Sequence, residues 1–449
     1  MKITFCGAAE RVTGSNYLID TGKTKFLVDC GLFQGSHDAD MQNWDDFAYD
    51  PKEIDFLIIT HSHIDHIGRI PLLYKKGFRG KIYSTLPTKE FAALFLEDTC
   101  NILNNLKDEL RLEPLYENTD VIESIKLFET YNYYEKFSPS EDIAITLHDA
   151  GHILGSTIIE VKINNETIVF SGDLGNPPVP ILRDTDFIKK ADYIVMESTY
   201  GERIHEPGAE RELRLERIIE DTIQKKGNLL IPAFAMERTQ EIIYELSDLI
   251  KKNKVSSIPV YIDSPLAIKA TEIYKKYPDY YDAEATEIIK SGKSFFDFPD
   301  LHLVQTREES KEIDDLPGPK IIIAGSGMST GGRILYHEKR YLSDPTTTLL
   351  TIGFQVKGTL GRALMEKSAH VEIMGVPVEV NAKLETIESY SAHADQPKLL
   401  YWISKFDKPV KKIFLVHGEV VSEDALMHKI EDLDGIDTYI PKFMETVEL

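Results

Sequence analysis

Up to about Met196 the chain is written in short apolar runs broken by Gly, Asp and Asn: Lys2–Cys6, Lys25–Asp29, Phe56–Thr60, Lys81–Ser84, Ile143–Leu147, Thr157–Ile163, Thr167–Ser171 and Tyr193–Met196. Runs of this length with so few polar positions predict sheet strands, several of them covered on both faces. One stretch departs from that rhythm. Phe91, Leu94, Phe95, Asp98 and Ile102 recur at intervals of three and four, which predicts a helix over Thr88–Asn105. After Tyr200, helical stretches such as Glu210–Lys225 and Arg238–Lys252 alternate with the short strands Leu229–Pro232, Val260–Ile262, Lys320–Ala324 and Leu349–Ile352. That alternation predicts βαβ units around a parallel sheet. Past about Val371 strands return, including Val410–Val416, with a helix over Ser422–Glu431.

Composition narrows the class. With 449 residues, 42% hydrophobic and 28% charged, the chain can bury a large core and is not of the disordered type. The N-terminal stretch lacks an apolar segment of signal-peptide length, and no run of about 18 apolar residues occurs, so a cytoplasmic protein without a membrane span is expected. Cys6, Cys30 and Cys100 are far apart and form no CxxC pair, so a metal would be held by His and carboxylates. A net charge of −23 disfavours broad electrostatic coating of a polyanion, which would have to enter a locally basic or metal-neutralised cleft, although on its own such a charge reads most simply as a solubility feature.

The strongest chemical signal is Thr60-His61-Ser62-His63-Ile64-Asp65-His66-Ile67-Gly68, directly after the apolar run Phe56–Ile59. In extended chain, side chains at i and i+2 share a face, so His61, His63 and Asp65 point to one side, and His66 turns in beside them. Clustered imidazoles and a carboxylate resist desolvation unless paired or metal-bound, so packing alone explains them poorly. Two further strand ends carry one metal-capable group each beside a glycine: His152 in Asp149–Ser156 and Asp173 in Phe170–Gly175.

HxHxDH followed by a distant His, an Asp and a final His resembles the metallo-β-lactamase superfamily, position by position. The resemblance implies an α/β fold, the αββα sandwich, with His61, His63 and His152 on one zinc ion, Asp65, His66 and His417 on a second, and Asp173 bridging them. Asp29 corresponds to a carboxylate that orients a ligand imidazole, although a strand-end turn residue is an equally simple reading. Val195–Gly201 with Glu197, Ser391-Ala392-His393-Ala394-Asp395, and Val416-His417-Gly418-Glu419 add a resemblance to the β-CASP branch, which includes RNase J and the mRNA 3′-end cleavage endonuclease. It implies a β-CASP α/β domain, a parallel sheet flanked by helices, inserted over residues 204–370 between the two parts of the metallo-β-lactamase domain, 1–203 and 371–449. His417 places the chain nearer the RNA-directed members, and no DNA preference is expected.

The implied chemistry is hydrolysis of RNA phosphodiester bonds in single-stranded segments, as endonuclease, 5′-exonuclease or both. Two zinc ions flanking a water lower its pKa toward about 7, creating hydroxide for in-line attack. The catalytic set is His393 as general acid, Glu197 as its hydrogen-bond partner, and Asp65, which is also a ligand. The glycine runs 324–333 and 358–362, with Ser326, Gly327, Arg333 and Arg362, together with Ser391, are the expected phosphate contacts, although glycines alone fit tight turns equally well. Tyr131, Tyr133 and Tyr134, or Phe295, Phe296 and Phe298, are candidates for base stacking, with core packing the simpler reading. A small-molecule metallohydrolase and a catalytically silent RNA-processing scaffold are the alternatives; the long insertion speaks against the first, the full ligand set against the second. Homodimers are common in the prokaryotic family, but no residue here requires one.

Overall fold

The computed structural model describes residues 1–449 apart from 36, 111, 207, 354, 357, 408, 409 and 433–435, and apart from the side chains of 37, 105–110 and 209. Its strands are, in order, β1 (Lys2–Phe5), β2 (Tyr17–Asp20), β3 (Lys25–Val28), β4 (Phe56–Ile58), β5 (Lys81–Ser84), β6 (Phe128–Thr130), β7 (Lys136–Ser140), β8 (Ile143–Asp149), β9 (Thr157–Ile163), β10 (Glu166–Phe170) and β11 (Tyr193–Glu197). There follow β12 (Asn228–Pro232), β13 (Val260–Ile262), β14 (Leu301–Leu303), β15 (Lys320–Ala324), β16 (Thr348–Ile352), β17 (His370–Ile373), β18 (Val376–Glu379), β19 (Lys383–Ile387), β20 (Lys412–Val416), β21 (Thr438–Tyr439) and β22 (Thr446–Glu448). The chain divides into two compact units: Met1–Pro177 with Arg183–Ile204 and His393–Leu449, and Pro178–Leu182 with His205–Ala392.

The first unit holds two seven-stranded sheets, ordered β22-β1-β2-β3-β4-β5-β6 and β21-β20-β11-β10-β9-β8-β7. Alternation along the strands sorts the side chains into layers. Phe26 and Val28 face Ile145, Ile159, Ile168 and Phe414 between the sheets, whereas Leu27, Leu57 and Ile82 turn outward onto Ala92 and Leu96 of the helix Leu86–Leu110. On the other side Ile194, Met196, Ile413 and Leu415 pack on Leu399 and Trp402 of Gln396–Ile403 and on Leu426 of Val420–Asp432. Helix, sheet, sheet, helix is the αββα sandwich. Among the described residues, no helix is long and apolar enough to cross a membrane.

The second unit is built on a six-stranded sheet ordered β14-β13-β15-β12-β16-β19, in which every pairing is parallel. β12, β15 and β16 are buried along their whole length, as expected of strands covered on both faces. The chain re-enters the first unit only at His393, later than the 370/371 division read from the sequence. The reason is β19, whose five residues pair in parallel with β16 and extend this sheet.

Candidate active site and family

The inferred metal ligands lie at the ends of strands in the first unit. His61 follows β4 by three residues, and the one-turn helix Ile64–Ile67, with His63 at its N-cap, brings Asp65 and His66 round beside it. His152 follows β8, Asp173 follows β10 and His417 follows β20. Tight backbone makes room for them. Gly31 has the Asp65 carbonyl 1.6 Å from where a Cβ would stand, and Gly172 takes a φ of +54° just before Asp173.

The donor atoms converge in two groups. His63 Nδ1 is 3.0 Å from His61 Nε2 and 3.1 Å from His152 Nε2. His417 Nε2 lies 3.1 Å from His66 Nε2 and 3.2 Å from Asp65 Oδ2. Asp173 faces both groups: Oδ2 is 3.4 Å from His61 and 3.5 Å from His152, while Oδ1 is 3.4 Å from His66 and 3.8 Å from His417. Burial, followed by repulsion from His66, holds His61 well below the ordinary imidazole range, and burial brings His63 down to about 4. Both rings therefore present lone pairs at neutral pH. Asp173 Oδ1 is buried with no hydrogen-bond partner among the described residues. Asp65, Asp173 and five imidazoles crowded at 3.0–3.8 Å around an orphaned carboxylate oxygen are more donor atoms than packing calls for, and this donor set fits bound divalent metal.

Partners outside the ligand set fix these groups. Asp29 Oδ2 is 2.8 Å from His66 Nδ1 and accepts from the Thr60 hydroxyl at 2.7 Å, while Oδ1 accepts the Thr60 amide at 2.8 Å. Asp29 and His417 take φ of 58° and 53°, a left-handed backbone that non-glycine residues adopt at some energetic cost. His417 is held by its amide on the Ala8 carbonyl (2.7 Å) and by Thr199 Oγ1, 3.1 Å from Nδ1. Neither Thr60 nor Thr199 carries a sequence signal of its own, although both stand inside the motifs of the site.

His393 Nδ1 sits 3.1 Å from Glu197 Oε2 and 3.9 Å from Asp173 Oδ2. The other Glu197 oxygen accepts the Leu174 amide at 2.5 Å, and the Ala394 amide reaches the Leu174 carbonyl at 2.8 Å. One carboxylate thus ties the Asp173 loop to the imidazole. Burial opposes the charge on His393, but Glu197 and Asp173 outweigh it and push the ring up to about 9.

The expected phosphate contacts belong to the second unit. Ser326 Oγ accepts the amides of Thr330 (2.9 Å) and Gly331 (3.1 Å), closing the glycine loop. Gly361 donates to the Met328 carbonyl at 3.0 Å, so the two glycine runs pack together. Arg333 is bound to Asp263 at 2.6 Å and to the Gln305 carbonyl at 2.7 Å, and Arg362 pairs with Glu366 at 2.7 Å. Ser391 is buried and follows Tyr390, which donates to Glu245 and lies under the Arg211 guanidinium.

Comparison with known proteins settles the family. Residues 18–197 match a metallo-beta-lactamase superfamily domain, 239–364 a Beta-Casp domain, and 377–441 a Zn-dependent metallo-hydrolase RNA specificity domain. A protein named as a ribonuclease from Thermus thermophilus is 36% identical over 100% of both chains. The chain belongs to the β-CASP family of the metallo-β-lactamase superfamily. A transcription termination factor from Pyrococcus abyssi is 33% identical, covering 100% of this chain and 71% of that one. An RNase J-like protein from Methanocaldococcus jannaschii is 30% identical over 98% and 97%. A crystal structure of a protein of unknown function from Enterococcus faecalis V583 shares the fold, with a TM-score of 0.57 at 11% identity over 100% and 99% of the two chains. Membership makes this chain a metal-dependent hydrolase.

Proposed function

We propose that this β-CASP protein is a zinc-dependent ribonuclease that hydrolyses phosphodiester bonds of single-stranded RNA, as endonuclease, 5′-exonuclease or both. The observation that carries this reading is the placement of His393, with Nδ1 3.1 Å from Glu197 Oε2 and 3.9 Å from Asp173 Oδ2, beside the inferred metal ligands. The names of the relatives support the substrate: ribonuclease, RNase J-like protein and RNA specificity domain. One zinc ion would be held by His61, His63 and His152, the other by Asp65, His66 and His417, with Asp173 contacting both. When bound, such a pair draws charge from the phosphoryl oxygens and lowers the pKa of water toward about 7.

The chain's own groups do the rest. Glu197 accepts from Nδ1 of His393, so the proton on Nε2 is the one delivered to the departing ribose 3′-oxygen. That transfer leaves a 3′-hydroxyl on one product and a 5′-phosphate on the other. Asp29 and Thr199 fix the rings of His66 and His417, and Ser326, Gly327, Arg333, Arg362 and Ser391 are the phosphate contacts of the reading. The test is zinc-loaded protein with 5′-labelled and internally labelled single-stranded RNA, matched DNA and a β-lactam, with Asp65→Ala as control. RNA-selective cutting that disappears in the control supports the reading, and the fragment pattern gives the mode. Intact RNA after incubation with protein carrying two zinc ions, or equal cutting of DNA, would overturn it.

A further inference from the structure

The second unit carries a site of its own kind at the C-terminal ends of its parallel strands. In its sheet, β12 and β15 are neighbours in register, Pro232 opposite Ala324. The chain leaves β12 for β13, which lies beyond β15, and leaves β15 for β16, which lies beyond β12. Adjacent strands whose connections depart in opposite directions define a switch point, and right-handed crossovers then send the two connections to opposite faces of the sheet. A crevice opens between such strand ends, and in open α/β sheets that crevice is where ligands bind.

The residues lining it suit a nucleotide. From β12 comes Phe234, an aromatic ring 39% exposed. From β15 comes the glycine run, and the Phe234 ring lies so close on Gly327 that a Cβ there would meet ring carbons at 2.6 and 2.8 Å. The amides of Gly327 and Met328 have no acceptor among the described residues, whereas those of Ser329, Thr330 and Gly331 are satisfied inside the loop. Gln355, itself buried, holds the loop from behind by donating to the Gly327 carbonyl at 3.0 Å. The one carboxylate at the neighbouring end of β13, Asp263, is answered by Arg333 at 2.6 Å and His337 at 2.7 Å, so it presents no uncompensated charge to an anion.

We propose that this crevice is a ribonucleotide subsite: a base stacks on Phe234 while the attached phosphate takes the amides at Gly327 and Met328. Its occupant is one nucleotide of the RNA strand, and in that respect the inference rests on the ribonuclease reading. Arg333, a phosphate contact of the ribonuclease reading, also offsets the Asp263 carboxylate, to which it is bound at 2.6 Å.

Photocrosslinking of the full chain in EDTA to a 5-iodouracil-substituted single-stranded RNA 12-mer reads the subsite without cleavage. The expected crosslink maps to Phe234, and excess uncrosslinked RNA suppresses it. Phe234→Ala should lower kcat/KM on the same RNA roughly tenfold, mostly through KM, in line with the loss of one stacked base, and Phe234→Tyr should restore it. Gly327→Ala, which displaces the ring, should resemble Phe234→Ala. No crosslink at Phe234 together with unchanged KM in Phe234→Ala overturns the subsite. Suppression of the crosslink by free UMP or AMP, but not by RNA, overturns the strand as occupant in favour of a free mononucleotide. Because crosslinking needs no turnover, a protein that cuts no RNA but crosslinks at Phe234 would sink the ribonuclease reading alone.

Discussion

Each unit buries a dense cluster of titratable side chains, and the two clusters are opposites. In the second unit Arg211 bonds Glu241 at 3.1 Å and Glu245 at 2.7 Å, Arg238 bonds Glu241, Tyr274 donates to Glu237 and Tyr390 to Glu245. Carboxylates there meet cations or hydroxyls. In the first unit, imidazole nitrogens face other imidazole nitrogens and Asp173 keeps an orphaned oxygen. Buried charge answered within the fold is architecture; buried donors crowded around an orphaned carboxylate oxygen are the pattern of a site completed from outside the chain.

The largest test of that contrast is Asp173→Ala. It should abolish binding of both metals, read by elemental analysis, and reduce RNA cleavage on the order of a thousandfold or more. Metal retained in full would show that the donors are held together by the fold alone. His393→Ala should keep the metals and lower kcat by about 10²–10⁴-fold. The acid form of His393 is the working one and its pKa is pushed up to about 9, so the alkaline limb of the pH–rate profile should fall above that pH, while the acid limb is set by the metal-bound water. Glu197→Gln removes the raising charge and should move the fall to lower pH, seen in a pH–rate profile at constant metal content.

Arg211→Met should break the self-compensated cluster. Leaving Glu245 and Glu241 short of a buried cation is expected to cost about 3–5 kcal/mol in urea unfolding, with metal content unchanged. The smallest effect concerns Glu423 of the first unit, fully buried, whose carboxyl burial pushes up to about 8 against the nearby Glu10 amide. A carboxyl raised in the folded state opposes folding once it ionises: nothing below about 4.5, progressively more up to about 8, constant beyond. Glu423→Gln should therefore raise the melting temperature by a few degrees at pH 8 and leave it unchanged at pH 4.

What could be read in advance follows from range. The strands and most ligands announce themselves because apolar runs and HxHxDH are local patterns. The helix expected over 88–105 runs as Leu86–Leu110. Thr60 and Thr199 matter only through tertiary hydrogen bonds, which no local pattern encodes. Arg333 reads as a phosphate ligand because it follows a glycine run, yet its partner Asp263 lies seventy positions away and is fully buried. Phe295, Phe296 and Phe298 are core residues, while the exposed ring beside the glycine loop is Phe234. Sequence could not rank these rings, since exposure is a property of the packed unit.

His417 stands 352 positions beyond Asp65, with which it shares the second group of donors. During synthesis every other ligand is translated long before it. A nascent chain therefore carries an unfinished centre for most of its time on the ribosome, and the full donor set first exists when β20 has been added beside β11. Order of synthesis is thus order of assembly for the donor set, and His417 is the last of it to arrive.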